Sequence, residues 1–143
     1  MKTICWLAAM LFAMGAPQCW AVACTVNAGG VSFGGYDPFS SLGLDGTGNI
    51  AVTCDVSAPY TIGLSPGNGP YASRTMLSGA HTLTYNLFTD GTRTGVWGDG
   101  TGSTGTVSGN GSSANHTVYG RIPARQNAHV GTYSDIITVT VTF

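Results

Sequence analysis

The side chains of this 143-residue chain that could carry chemistry are His81, His116, His129, six aspartates and a large stock of serine and threonine. A metal site would need histidines brought to one ion. None stands in an H-x-H or H-x3-H pair that would put two ring nitrogens there, and no cysteine is free to join them. Serine, histidine and aspartate all occur, but a catalytic triad is a geometry and not an inventory. No G-x-S-x-G elbow marks a nucleophile. The chain contains no glutamate, and nothing singles out two of its scattered aspartates as a glycosidase pair. These observations predict a protein that is not an enzyme and holds no metal or cofactor.

Glycine is dense between Gly91 and Gly111, "GTRTGVWGDGTGSTGTVSGNG", with eight glycines in 21 residues. A phosphate cradle would need a following GK[ST], and a calcium loop would need ligands at fixed spacing around Asp90 and Asp99. Neither pattern is present. The stretch reads as an exposed loop or loosely paired hairpin, with Val96 and Trp97 pinning it to the body. Asn110-Gly-Ser and Asn115-His-Thr match the N-glycosylation pattern, which acts only in a host that glycosylates by that route.

Two cysteines carry the remaining chemistry. Met1-Lys2-Thr3 followed by an apolar run from Ile4 to Met14 describes a secretory signal peptide, too short to span a bilayer as a stable helix. Ala21-Val22-Ala23 supplies an A-x-A cleavage pattern, so the signal is assigned to residues 1–23 and the domain to residues 24–143. Cys5 and Cys19 leave with it. Cys24 and Cys54 remain, in an export route that permits oxidation, and a disulfide between them is expected. The alternative is acylation of Cys24 at the mature N-terminus, which would leave Cys54 as a free thiol.

The mature chain has no lysine, and four arginines oppose six aspartates, for a net charge near −2. With no basic patch, nucleic acid is excluded as a partner. With no further long apolar run, no stable membrane span is expected.

Short alternating runs must position everything else. Val26–Phe33, "NIAVTCDV", "YTIGLS", "RTMLSG", "HTLTYNLFTD", "HTVYGRIPA" and the closing "GTYSDIITVTVTF" are rich in Val, Ile, Thr and Tyr and separated by Gly, Asn, Asp and Pro. That pattern predicts an all-β sandwich. In the last run Ile137, Val139, Val141 and Phe143 share one face, opposite Ile136, Thr138, Thr140 and Thr142. After Asp135 this run carries no charge and no proline, the devices that usually blunt a strand edge.

Three stretches in order carry a resemblance: "CTVNAGGVSFGGYDP" with "GNIAVTCD", then "LTYNLFTDGTRTGVWGDGTG", then "VYGRIPARQNAHVGTYSDIITVTVTF". The chain resembles the spore coat protein U domain family, which includes pilin subunits of archaic, Csu-type chaperone–usher pili. The resemblance implies an immunoglobulin-like, pilin-type sandwich lacking its final strand. Its groove would be filled first by a periplasmic pilus chaperone, and after assembly at an outer-membrane usher by the N-terminal extension of another pilin-like subunit. Ile137, Val139, Val141 and Phe143 are then expected to line a strand-acceptor groove. The localisation implied is secretion through the periplasm to the cell surface, in a pilus or coat.

Cleavage before Cys24 leaves no segment to donate. An earlier cut after Gly15 leaves only "APQCWAVA". The expectation is therefore a subunit that accepts a strand without passing one on, at a fibre tip or in a coat. Two alternatives stay open from the residues alone. A strand from the Cys24 segment would cover the terminal edge and complete the domain. Or the chain is a self-contained adhesin-like module, with an exposed Trp97 and Tyr119 as its ligand contacts.

Overall fold

A computed structural model describes residues 21–143. Of the expected signal peptide, residues 1–23, the first twenty lie outside the described residues. Among the described residues the secondary structure is strand and turn: β1 (Cys24–Ser32), β2 (Leu44–Leu64), β3 (Arg74–Ser78), β4 (His81–Phe88), β5 (Val107–Ile122) and β6 (Val139–Thr142). They form one six-stranded sheet in the order β1-β2-β5-β4-β3, with β6 added to β2. The two layers anticipated from the alternating runs thus belong to a single curled sheet. Its concave face holds the core: Ile50, Val52, Ile62 and Leu64 of β2, Met76 of β3, Leu83, Tyr85 and Leu87 of β4, and Val118 and Ile122 of β5.

The long β2–β5 ladder organises the sheet, running from Leu44 opposite Ile122 to Ile62 opposite Val107. Pro59 had split this region into two runs in the sequence. In the structure it sits inside β2, opposite Asn110, just past a register shift between Thr53 and Ala58. A proline lacks the N–H a regular ladder needs, and an irregularity is where a sheet tolerates it. The second half of β5 is legible as a strand, but its start at Val107 lies inside the glycine-rich stretch that reads as an exposed loop or loosely paired hairpin.

β1 pairs with β2 through Cys24 opposite Cys54, and the two sulfurs are bonded. The Cys24 sulfur is therefore engaged and not available for acylation. Beyond Gly29 the pairing shifts. Val31 and Phe33 then drop onto the sheet, where a Cβ on Gly48 would meet Val31 at 2.8 Å and one on Gly120 would meet Phe33 at 2.6 Å. Those two glycines let the Val31 and Phe33 side chains lie directly on backbone.

Candidate functional site

The terminal segment crosses from one strand to another. Ser134 exchanges backbone hydrogen bonds with Leu77 of β3, at 2.8 and 3.0 Å. Four residues on, the Ser65 N–H donates to the Thr138 carbonyl at 2.9 Å. Thr140 and Thr142 continue along β2, opposite Gly63 and Thr61. Backbone groups of successive strand residues point to opposite edges. The N–H and C=O of Ile137, Val139 and Val141 are thereby turned away from β2, towards an edge on which no strand lies among the described residues.

A groove of about 840 Å³ runs beside that edge. One wall is the end of β1 and the residues after it, Ala28–Tyr36, and the other is the segment from Ala128 to Val139. Its floor is the core itself: Ile50, Leu64, Met76, Tyr85, Leu87 and Ile122. An open channel thus reaches the apolar interior between two strand segments.

Three of the four residues assigned to this groove pack against the core as expected from their alternation: Ile137, Val139 and Val141. Ile137 and Val139 line the groove directly. Phe143 does not join them. It lies one residue past the last β2–β6 pair, Thr61–Thr142, and is 58% exposed, because no partner backbone holds it against the sheet. The Cys24 segment is on β2 and not on β6, so it leaves the terminal edge uncovered.

Another exposed edge in the molecule is treated differently. β5 stops at Ile122, before Pro123, which has no N–H to offer β4. The Gln126 side chain takes its place, its Oε1 accepting from the Thr84 N–H and its Nε2 donating to the Thr84 carbonyl, both at 2.8 Å. Gln126 is held by Tyr36, whose hydroxyl accepts the Gln126 N–H and donates to the Pro123 carbonyl. One edge is capped by a side chain while the β6 edge is not.

Trp97 was offered above as an exposed ligand contact, and the structure corrects that assignment. It is 0% exposed, and its indole Nε1–H donates to the Ile62 carbonyl at 3.0 Å. An apolar ring with one buried donor is better satisfied in the core than in water. Trp97 is the anchor of its loop. Tyr119 lies on β5 rather than on the glycine-rich loop, half-buried, with the Arg93 guanidinium 5.9 Å from its ring centre. The two residues do not form a common surface.

Sequence reasoning missed the polar fixtures around the groove. Arg74 is wholly buried and donates to the Ser65 carbonyl, to Asn86 Oδ1 and to the Trp97 carbonyl. Burial lowers its pKa, although an arginine keeps its charge. Asp135 lines the groove and accepts from the Tyr85 hydroxyl at 2.7 Å and from Asn68 Nδ2 at 2.8 Å. Burial, then the Asp135 hydrogen bond, pushes the Tyr85 phenol upward. The signal available for both was a lone charged residue beside an apolar alternating run.

The histidines stay apart from any metal geometry. His81 and His129 stack with ring centres 3.8 Å apart, and His116 Nε2 pairs with the Tyr60 hydroxyl at 2.9 Å. Among the described residues no group of three or more metal-ligating side chains is assembled. Asp90 and Asp99 close their own turns, Asp90 accepting from the Gly95 N–H at 2.9 Å and Asp99 from the Thr101 N–H at 2.9 Å. No described helix is long and apolar enough to cross a membrane.

The chain is a curled all-β domain with an open apolar channel beside its last strand. The model of the spore coat protein U domain matches residues 11–140, and the chain belongs to that family. It is 36% identical over 139 residues to Protein U of Myxococcus xanthus, covering 85% of this chain and 78% of the relative. It is also similar to a chain in the solved CsuC–CsuE chaperone–tip adhesion subunit pre-assembly complex from archaic chaperone–usher Csu pili of Acinetobacter baumannii. That match has a TM-score of 0.63 at 25% identity and covers 86% of this chain. The chain spans 40% of the length of that solved chain.

Proposed function

We propose that this protein is a secreted structural subunit of a surface assembly, a pilus or a coat, and that it binds its partners by accepting a β-strand. The observation that carries the reading is the unpaired edge of Ile137, Val139 and Val141 beside a groove floored by core residues. An extended segment laid there would gain backbone hydrogen bonds from the edge and side-chain burial from the floor, which is β-strand addition. Finishing the burial of three half-buried side chains is worth roughly 2–4 kcal/mol, taking about half the value for full burial. Up to six new edge hydrogen bonds at about 0.5–1.5 kcal/mol each add a similar or larger amount. Whole-domain stability is only about 5–15 kcal/mol, so occupation of the groove changes the molecule's stability substantially.

The occupants proposed are a periplasmic pilus chaperone during export and, after transfer at an outer-membrane usher, a strand from a neighbouring pilin-like subunit. The similar Csu chain, solved in a chaperone–tip subunit complex, supports a chaperone and pilin-like subunits as partners; a terminal position in a fibre is part of the proposal.

The test is capture by a pilus chaperone on co-expression. Val139→Pro removes one N–H from the free edge while leaving the Thr138, Thr140 and Thr142 bonds to β2. Val139→Ala controls for the lost side chain. The expected result is capture of wild type and Val139→Ala but not of Val139→Pro. Equal capture of both variants contradicts the reading.

A further inference from the structure

The acceptor edge is assembled from two pieces. Residues around Ser134 are held by β3, residues from Thr138 onward by β2, and between them lies a gap with no ladder partner. Asp135 stands in that gap. Its Oδ1 accepts from the Ile136 N–H at 2.7 Å, from the Asn68 N–H at 3.2 Å and from Asn68 Nδ2 at 2.8 Å, while Oδ2 accepts from the Tyr85 hydroxyl. The carboxylate therefore ties the terminal segment to the Pro66–Asn68 turn and to β4 at once. Gly67 belongs to the same arrangement: it has a φ of +68°, and a side chain there would run into the Asp135 carboxylate.

We propose that Asp135 is a positioning residue for strand acceptance, splicing the β3-held and β2-held pieces into one continuous edge from Tyr133 to Val141. The inference rests on the strand-acceptor reading and specifies how long a strand that acceptor takes. Nine residues in line span about 30 Å at roughly 3.3 Å per residue. Without the splice, the edge held by β2 alone covers only Ile137 to Val141, about half that reach. The partner is accordingly an extended apolar-alternating segment of about nine residues, whose leading half contacts the edge only because Asp135 aligns it.

Length dependence tests this on the full chain. Two fluorescently labelled peptides alternating valine and threonine serve as probes, one of about nine residues and one of about five, matched to the two edge lengths. In wild type the long peptide is expected to bind at least about tenfold more tightly than the short one, roughly 1.4 kcal/mol. Asp135→Ala is expected to erase that advantage while leaving the short peptide's affinity unchanged. Asp135→Asn, which keeps an oxygen acceptor, is expected to restore part of it. Equal weakening of both peptides by Asp135→Ala, or no change in either, overturns the inference while leaving the acceptor reading intact. Failure of wild type to bind either peptide overturns both.

Discussion

The Arg74 guanidinium donates to the carbonyl of Trp97 at 2.6 Å, a charge-assisted bond inside the core that fixes a glycine-rich loop to the curled sheet. The same arginine holds the end of β2 through Ser65 and β4 through Asn86. Three parts of the chain far apart in sequence thus meet at one cation with no carboxylate bonded to it. Removing it strands several buried carbonyl-type acceptors together. Arg74→Ala is expected to destabilise the domain by about 3 kcal/mol or more. Chemical denaturation checks this, with the midpoint shifting and the slope retained.

Trp97→Phe isolates the indole bond. The ring volume is largely kept, while the Ile62 carbonyl loses its Nε1–H donor. A loss of about 1–3 kcal/mol is expected from the unsatisfied acceptor. Because the ring is buried, surface attachment by the folded variant is expected to be unchanged, measured at a temperature where both proteins are folded.

Tyr85 makes stability sensitive to alkali. Its phenol is raised above the ordinary value of 10.0 by burial and by Asp135. Below pH 10 both folded and unfolded forms keep the proton, and the full stabilisation is present. Above it the unfolded chain releases a proton that the folded chain retains. Stability therefore falls as pH rises past 10, by up to about 1.4 kcal/mol per pH unit for this one group. Melting curves across that range should show the fall, and Tyr85→Phe should reduce its slope.

The Cys24–Cys54 bond closes a loop of sequence separation 30. The chain-entropy relation assigns such a loop roughly 3–4 kcal/mol. Reduction, or replacement of both cysteines by serine, is expected to lower stability by that order. The bond also secures the start of β1, so the double variant should show faster amide exchange across the β1–β2 pairs than across β3–β4.

The period-two pattern of Ile137, Val139 and Val141 was legible because strand alternation needs no tertiary information. Phe143 shares the pattern but lacks a partner opposite it, and pattern alone does not report where pairing stops. Trp97 carries two readings, an anchor pinning the glycine-rich loop and an exposed ligand contact; the first holds and the second fails, because the Ile62 carbonyl that draws the indole inward lies 35 residues away. Pro59 misled by the opposite route, as a breaker tolerated at a register shift that only the β2–β5 ladder reveals. Asp135 was noticed as the last charge before the terminal run. That it gathers Asn68 and Tyr85 depends on contacts 67 and 50 residues distant.

The central claim is most directly tested by residue-resolved amide exchange of the protein alone and bound to a pilus chaperone. In the protein alone, the N–H groups of Thr140 and Thr142 should be protected by β2 and those of Ile137, Val139 and Val141 should exchange rapidly. In the complex all five should be protected. Slow exchange of Ile137, Val139 and Val141 in the protein alone, or no added protection in the complex, would contradict strand acceptance at this edge.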